Sequence, residues 1–243
     1  MEIGRILHVE NHTALEKFLD SFLEEARTRL DKVRNSLPNL SQEKSDLYKW
    51  AKEEKTYPLM CAFAQKLMVY NLEDNSFIGK PFASDAIKES PFSHCAASMP
   101  VKIGTTKESL HVMLDPTYTQ FSLPSNLYPA FGLREIQSRH SPLSFLQETK
   151  EGQEFWNNIK EKGYFIITPE TAKLYVESLC PRFSIAKDDA YRALAYPAFY
   201  QGEKEHNRTR LSEQGCLGID LHKMLNKSEI IAPKAWGHTP APF

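Results

Sequence analysis

The sequence predicts an α+β fold: a central helix and an antiparallel sheet, with helical extensions on both sides. Three observations carry that expectation. Apolar residues recur at three- and four-residue steps over 13–37. Two strand-like runs, 94–103 and 110–115, are separated by the turn Gly104-Thr105-Thr106-Lys107. A helix–strand–helix pattern then fills 147–179.

In chain order, the first helix spans Thr13 to Leu37, with Leu15, Phe18, Leu19, Phe22, Leu23, Ala26, Leu30 and Val33 lining one face. Thr13-Ala14-Leu15-Glu16 reads as a capping box, and Pro38 follows the end. The stripe suits packing on the chain's own core, and contact with a partner protein through Thr13–Leu37 is left open. Asn39-Leu40-Ser41-Gln42 reads as a second helix start, with Leu47, Tyr48 and Ala51 facing inward. A third helix runs from about Pro58 to Leu72. Residues 71–91 read as a loop before the hairpin, and 122–142 as a turn-rich stretch too long for an ordinary connection. Gln147 to Lys162 reads as a helix closed by Gly163, and Tyr164-Phe165-Ile166-Ile167 as a buried strand. Thr168-Pro169 supplies a cap and a first-turn proline for a helix to Leu179, and a short helix covers Ala186 to Tyr196. Residues 201–210 are polar, and the tail from Pro233 to Phe243 is punctuated by proline.

At 243 residues, with 41% hydrophobic and 25% charged side chains, the chain has ordinary globular usage and enough length for a sizeable core. The 30 basic and 31 acidic residues leave a formal charge of −1, so composition offers no electrostatic case for nucleic acid as a partner. No stretch approaches the ~20 apolar residues of a membrane span. The first ten residues carry acids and a histidine within their apolar run, unlike a secretory signal. The expected location is the cytoplasm, or outside the cell by a route that reads no cleavable signal. Cys61, Cys95, Cys180 and Cys216 show no CxxC spacing, and reduced thiols are expected.

Chemistry concentrates in Cys61, His94 and Asp115. Cys61 falls in the first turn of Leu59-Met60-Cys61-Ala62-Phe63-Ala64-Gln65-Lys66-Leu67-Met68. A buried cysteine there ordinarily serves as a small hydrophobe. A helix start, however, offers the positive end of the dipole, which favours thiolate, and free backbone N–H groups for an oxyanion. A turn centred near Thr105-Thr106 sets Asp115 opposite Ala96, making His94 and Asp115 diagonal neighbours roughly 6–8 Å apart at Cβ. A one-residue slip would separate them. His94 has the opposite parity to Cys95, Ala97, Met99, Val101 and Ile103, so it is expected on the face away from the apolar set. The plainer alternative is a surface histidine and an Asp-Pro turn. His111 lies ~13 Å along the strand from Asp115 and cannot reach it. The remaining histidines lack ligand spacing, so no metal is expected. Cys216, in Gln214-Gly215-Cys216-Leu217-Gly218, is the rival nucleophile.

In the order and approximate spacing of Cys61, His94 and Asp115, the chain resembles the papain-like superfamily in its transglutaminase-like, Cys-His-Asp form. That group includes transglutaminases, cysteine proteases and the glutamine deamidases of bacterial toxins and effectors. Leu114-Asp115-Pro116-Thr117-Tyr118-Thr119-Gln120-Phe121 is similar to the "DPT…QF" continuation of several members. The resemblance covers roughly residues 55 to 125. It implies a papain-like catalytic core at 55–125; the chain is expected to be a single domain, 1–243, with a helical N-terminal extension at 1–54 and a helical/strand C-terminal extension at 126–243 of unassigned role. It further implies a thiol-dependent hydrolase or amidase acting on a protein or small-molecule carboxamide through a thioester, with no cofactor required. Lys52-Glu53-Glu54-Lys55 offers no counterpart to papain's upstream glutamine, leaving the second oxyanion donor unassigned. An acyl- or amide-transferring enzyme using the same thiol, and a catalytically silent adaptor of the same fold, are the alternatives.

Overall fold

A computed structural model describes residues 6–36, 45–70, 80–83, 94–127, 141–179 and 184–196. The expected helix start at 39–42, the turn-rich residues 128–140, Cys180, Cys216 and everything from 197 onward lie outside the described residues.

The architecture is mixed α/β. Strand β1 (Leu7–Val9) leads into helix α1 (His12–Ser36), followed by α2 (Ser45–Glu53) and α3 (Cys61–Tyr70). Strands β2 (Lys80–Ala83), β3 (Cys95–Ile103) and β4 (Leu110–Leu114) come next. Helices α4 (Pro142–Gln147) and α5 (Lys150–Lys162), strand β5 (Tyr164–Ile166), and helices α6 (Pro169–Leu179) and α7 (Lys187–Ala195) complete the described order.

The hairpin has the register that parity and turn position predict. Ala97 pairs with Leu114 and Val101 with Leu110, which puts Asp115 next in line opposite Ala96. Gly104, at φ +56, makes the turn, and Thr106 N–H closes it on the Ile103 carbonyl. The sheet is mixed rather than antiparallel, because β1 runs parallel to β3, pairing Leu7 with Val101. Strand β2 pairs with the other half of β3, Ala83 opposite Cys95, within the stretch read from sequence as loop. Strand β5 closes the far side against β4, with Met113 opposite Phe165.

Strands β1 and β5 belong to the same sheet as β3 and β4, and helices before and after the hairpin supply its two covering layers. On one face Leu15, Leu19, Leu23 and Ala26 of α1, with Met68 of α3, pack on Ala97, Met99, Val101, Val112 and Leu114. The apolar stripe of α1 thus packs on the chain's own sheet. The cap of α1 is Asn11, whose Oδ1 accepts from Ala14 N–H at 2.9 Å, two residues earlier than the expected Thr13 box. On the other face Leu146, Phe155, Trp156, Ile159, Tyr175, Val176 and Leu194 pack on Ala96, Met113 and Phe165. Among the described residues, no helix is long and apolar enough to cross a membrane.

Caps fix the second layer. Thr149 Oγ1 accepts from Gly152 N–H, and Thr168 Oγ1 from Thr171 N–H, starting α5 and α6. Gly163, at φ +76, ends α5 and returns its N–H to the Ile159 carbonyl. Its own carbonyl accepts the Asp115 backbone N–H at 2.8 Å, so the end of α5 also sets the end of β4.

Candidate active site

Cys61 is the first residue of α3, where the backbone N–H groups have no partner within the helix. Two contacts aim that start. Gln65 Nε2 donates to the Ala96 carbonyl at 2.8 Å, tying α3 to β3, and Tyr57 O–H donates to Asp31 at 2.9 Å, tying the preceding turn to α1. The turn carries two non-glycine residues at positive φ, Lys55 at 53° and Leu59 at 63°. Such backbone is uncommon outside glycine and tends to mark functional segments.

The structure brings Cys61, His94 and Asp115 together. His94 Nε2 and Asp115 Oδ2 lie 2.6 Å apart, and the Cys61 side chain is near enough to the same ring to raise its proton affinity. All three are buried. His94 stands on the face opposite Cys95, as its parity requires. That face is not open to solvent, as sequence parity suggests, because α4–α7 cover it and leave His94 0% exposed. Neither the surface-histidine nor the simple Asp-Pro-turn alternative describes this arrangement.

Further side chains complete the network. Tyr175 O–H, from α6, donates to Asp115 Oδ2 at 2.7 Å, and Thr117 O–H to Oδ1 at 3.1 Å. Gln120, in the short helix Tyr118–Ser122, donates from Nε2 to His94 Nδ1 at 2.8 Å. Its Oε1 accepts Leu59 N–H at 3.1 Å, which fixes the amide's orientation and joins the ring to the strained turn before Cys61. With the amide so placed, the neutral ring carries its proton on Nε2, toward Asp115. Phe121 packs edge-on to the ring at 5.0 Å between centroids.

Burial pulls the His94 ring toward its neutral form. The Asp115 charge, the Asp115 hydrogen bond and the Cys61 side chain outweigh it, so the ring holds its proton well above the ordinary 6.5. A ring protonated on both nitrogens presents a donor at Nδ1 that Gln120 Nε2 cannot accept, so charging the ring requires a different partner there. Burial and the Asp115 carboxylate also push the Tyr175 phenol well above its usual value, so it stays a donor.

Tyr175, Thr117 and Gln120 have no assigned role in the sequence reading. Gln120 and Thr117 fall in the quoted "DPT…QF" run, where a glutamine and a threonine among buried aromatics are the available signal. Tyr175, sixty residues from Asp115 in the chain, has none. His111 sits apart, edge-on to Tyr191 and Tyr196. Comparison of the chain with protein-family models, curated proteins and solved structures finds no match.

Proposed function

We propose that the protein is a thiol-dependent enzyme of papain-like, transglutaminase-like type that attacks a carboxamide through Cys61. The observation supporting this reading is one imidazole hydrogen-bonded to a buried carboxylate and electrostatically coupled to a helix-start thiol. His94 takes the Cys61 proton on Nδ1, the nitrogen not bound to Asp115, as Gln120 Nε2 withdraws from it. The sulfur adds to the amide carbonyl, and the helix-start N–H groups stabilise the oxyanion. Collapse of the tetrahedral adduct breaks the C–N bond, His94 returns the proton to the departing amine or ammonia, and a thioester remains. Water or a second amine, deprotonated by His94, then releases the acyl group and restores the thiol. Asp115 keeps the ring oriented and stabilises its charged form without taking the proton.

Cys95 provides an internal control, because it is buried to the same degree as Cys61 (2% against 3% exposed) and contacts it in a small cluster with Ala62. Treatment with iodoacetamide near neutral pH, followed by peptide mass mapping, should label Cys61 far faster than Cys95. His94→Ala should remove that preference. Equal labelling of the two thiols, or a preference untouched by His94→Ala, would sink the assignment. Ammonia release against peptide cleavage, measured on a casein or glutamine-peptide panel, separates deamidase from protease.

A further inference from the structure

The Asp115 carboxylate has more donors than a triad needs, and their distribution is uneven. Oδ2 is shared by His94 at 2.6 Å and Tyr175 at 2.7 Å, while Oδ1 has Thr117 at 3.1 Å. The doubly engaged oxygen is the one that grips the base. Tyr175 is held for this contact from several sides. Its ring stacks on Tyr118 at 5.2 Å, Tyr118 shares a hydrogen bond with Ser178, and Ser178 Oγ donates to the Tyr175 carbonyl at 2.7 Å. Phe165 of β5 packs against the same ring, tilted, at 5.2 Å. None of Tyr118, Tyr175 or Ser178 is exposed at all.

A base that must also act as an acid cannot be gripped without limit. A carboxylate bonded only to His94 concentrates its charge on the imidazolium and makes it a poor proton donor to the leaving amine. A second donor on the same oxygen draws some of that charge away.

Resting on the reading of Cys61, His94 and Asp115 given above, we propose that Tyr175 is a positioning residue that competes with His94 for one Asp115 oxygen. Helix α6 thereby sets how firmly the base holds its proton. The region 126–243, unassigned in the sequence, supplies this adjustment.

The test uses the full chain and reads His94 directly by NMR, through the low-field proton of its Nε2–H and the pH titration of its ring nitrogens. In Tyr175→Phe, with the competing donor gone, the low-field proton should move further downfield. Deprotonation should then need a roughly tenfold lower proton concentration, the weight of one hydrogen bond to a charged group. Site-specific 3-fluorotyrosine at 175, a more acidic phenol and stronger donor of the same shape, should move both readouts the opposite way. Should Tyr175→Phe fail to fold, the fluorinated protein decides alone. A folded protein in which neither readout moves would show that Tyr175 only fills the core, overturning the proposal. Both readouts compare Tyr175 variants with Cys61 unchanged, so they judge Tyr175 even where the labelling experiment has removed the thiol-enzyme reading.

Discussion

On the α1 side of the sheet, the strands present Ala97, Met99, Val101, Val112 and Leu114 to Leu15, Leu19, Leu23 and Ala26. On the α4–α7 side the same two strands, read at the alternate positions, present Ser98 and His111 among the apolar side chains, with His94 and Asp115 at their ends. The covering layer answers with Tyr175 and, from the connecting turn, Thr117, Tyr118 and Gln120. The first face is held by area alone and tolerates any filling of the right volume. The second carries polar groups at depth, where an unpaired one costs about 1–3 kcal/mol; around His94 and Asp115 donors meet acceptors, while the Ser98 hydroxyl has no partner among the described residues. One sheet thus separates stability from chemistry by the two-residue period of its strands.

Breaking that separation on the polar face should give the largest effect. Asp115→Asn keeps the shape but can donate where His94 Nε2–H needs an acceptor. Turnover, or Cys61 alkylation in its place, should fall by roughly a hundredfold to ten-thousandfold with the fold retained. Near-normal rates in folded Asp115→Asn protein would leave a Cys–His dyad at most. The matching change on the apolar face is Leu19→Ala. It should remove about 2–5 kcal/mol of stability by urea denaturation while leaving the reactivity of each folded molecule unchanged. A proportional loss of reactivity would mean that the two faces are not separable.

A smaller effect concerns pH. The folded ring keeps its proton up to about 10, whereas an unfolded histidine releases it near ~6.5. The folded state therefore binds more protons between those values. Stability contributed by the pair is complete below ~6.5 and declines as pH rises toward 10. The urea midpoint of the wild type should fall between pH 7 and pH 10 more steeply than that of His94→Gln, and parallel slopes would contradict the pairing. The smallest effect belongs to Thr117→Val, which removes the donor to the Asp115 oxygen that His94 does not use. It should slow Cys61 alkylation by roughly tenfold or less, well short of Asp115→Asn.

The hairpin was legible because a glycine turn and strict alternation leave one register, and that register alone places Asp115 beside His94. Cys61 was legible because Tyr57-Pro58 precedes an apolar helical run. The burial of His94 was not, since it depends on a layer folded from residues 142–195 whose contact with this face leaves no mark on His94 itself. Leu174-Tyr175-Val176 reads as core, and a tyrosine that fills space has the same sequence surroundings as one that donates to a carboxylate. Strands of three and four residues, Leu7–Val9 and Lys80–Ala83, are too short to show a period and exist through pairing with β3.

Gly163 gives the molecule a vulnerability at a residue with no side chain to take part in chemistry. A β-carbon there would come within 2.8 Å of the Arg27 guanidinium and 3.3 Å of the Pro116 backbone, in a left-handed conformation that other residues resist. The carbonyl of the same residue anchors the backbone of Asp115. Random mutagenesis scored for lost reactivity should therefore return Gly163 among its inactive clones, so that genetics would implicate a bend between a helix and a strand as readily as the acid it holds.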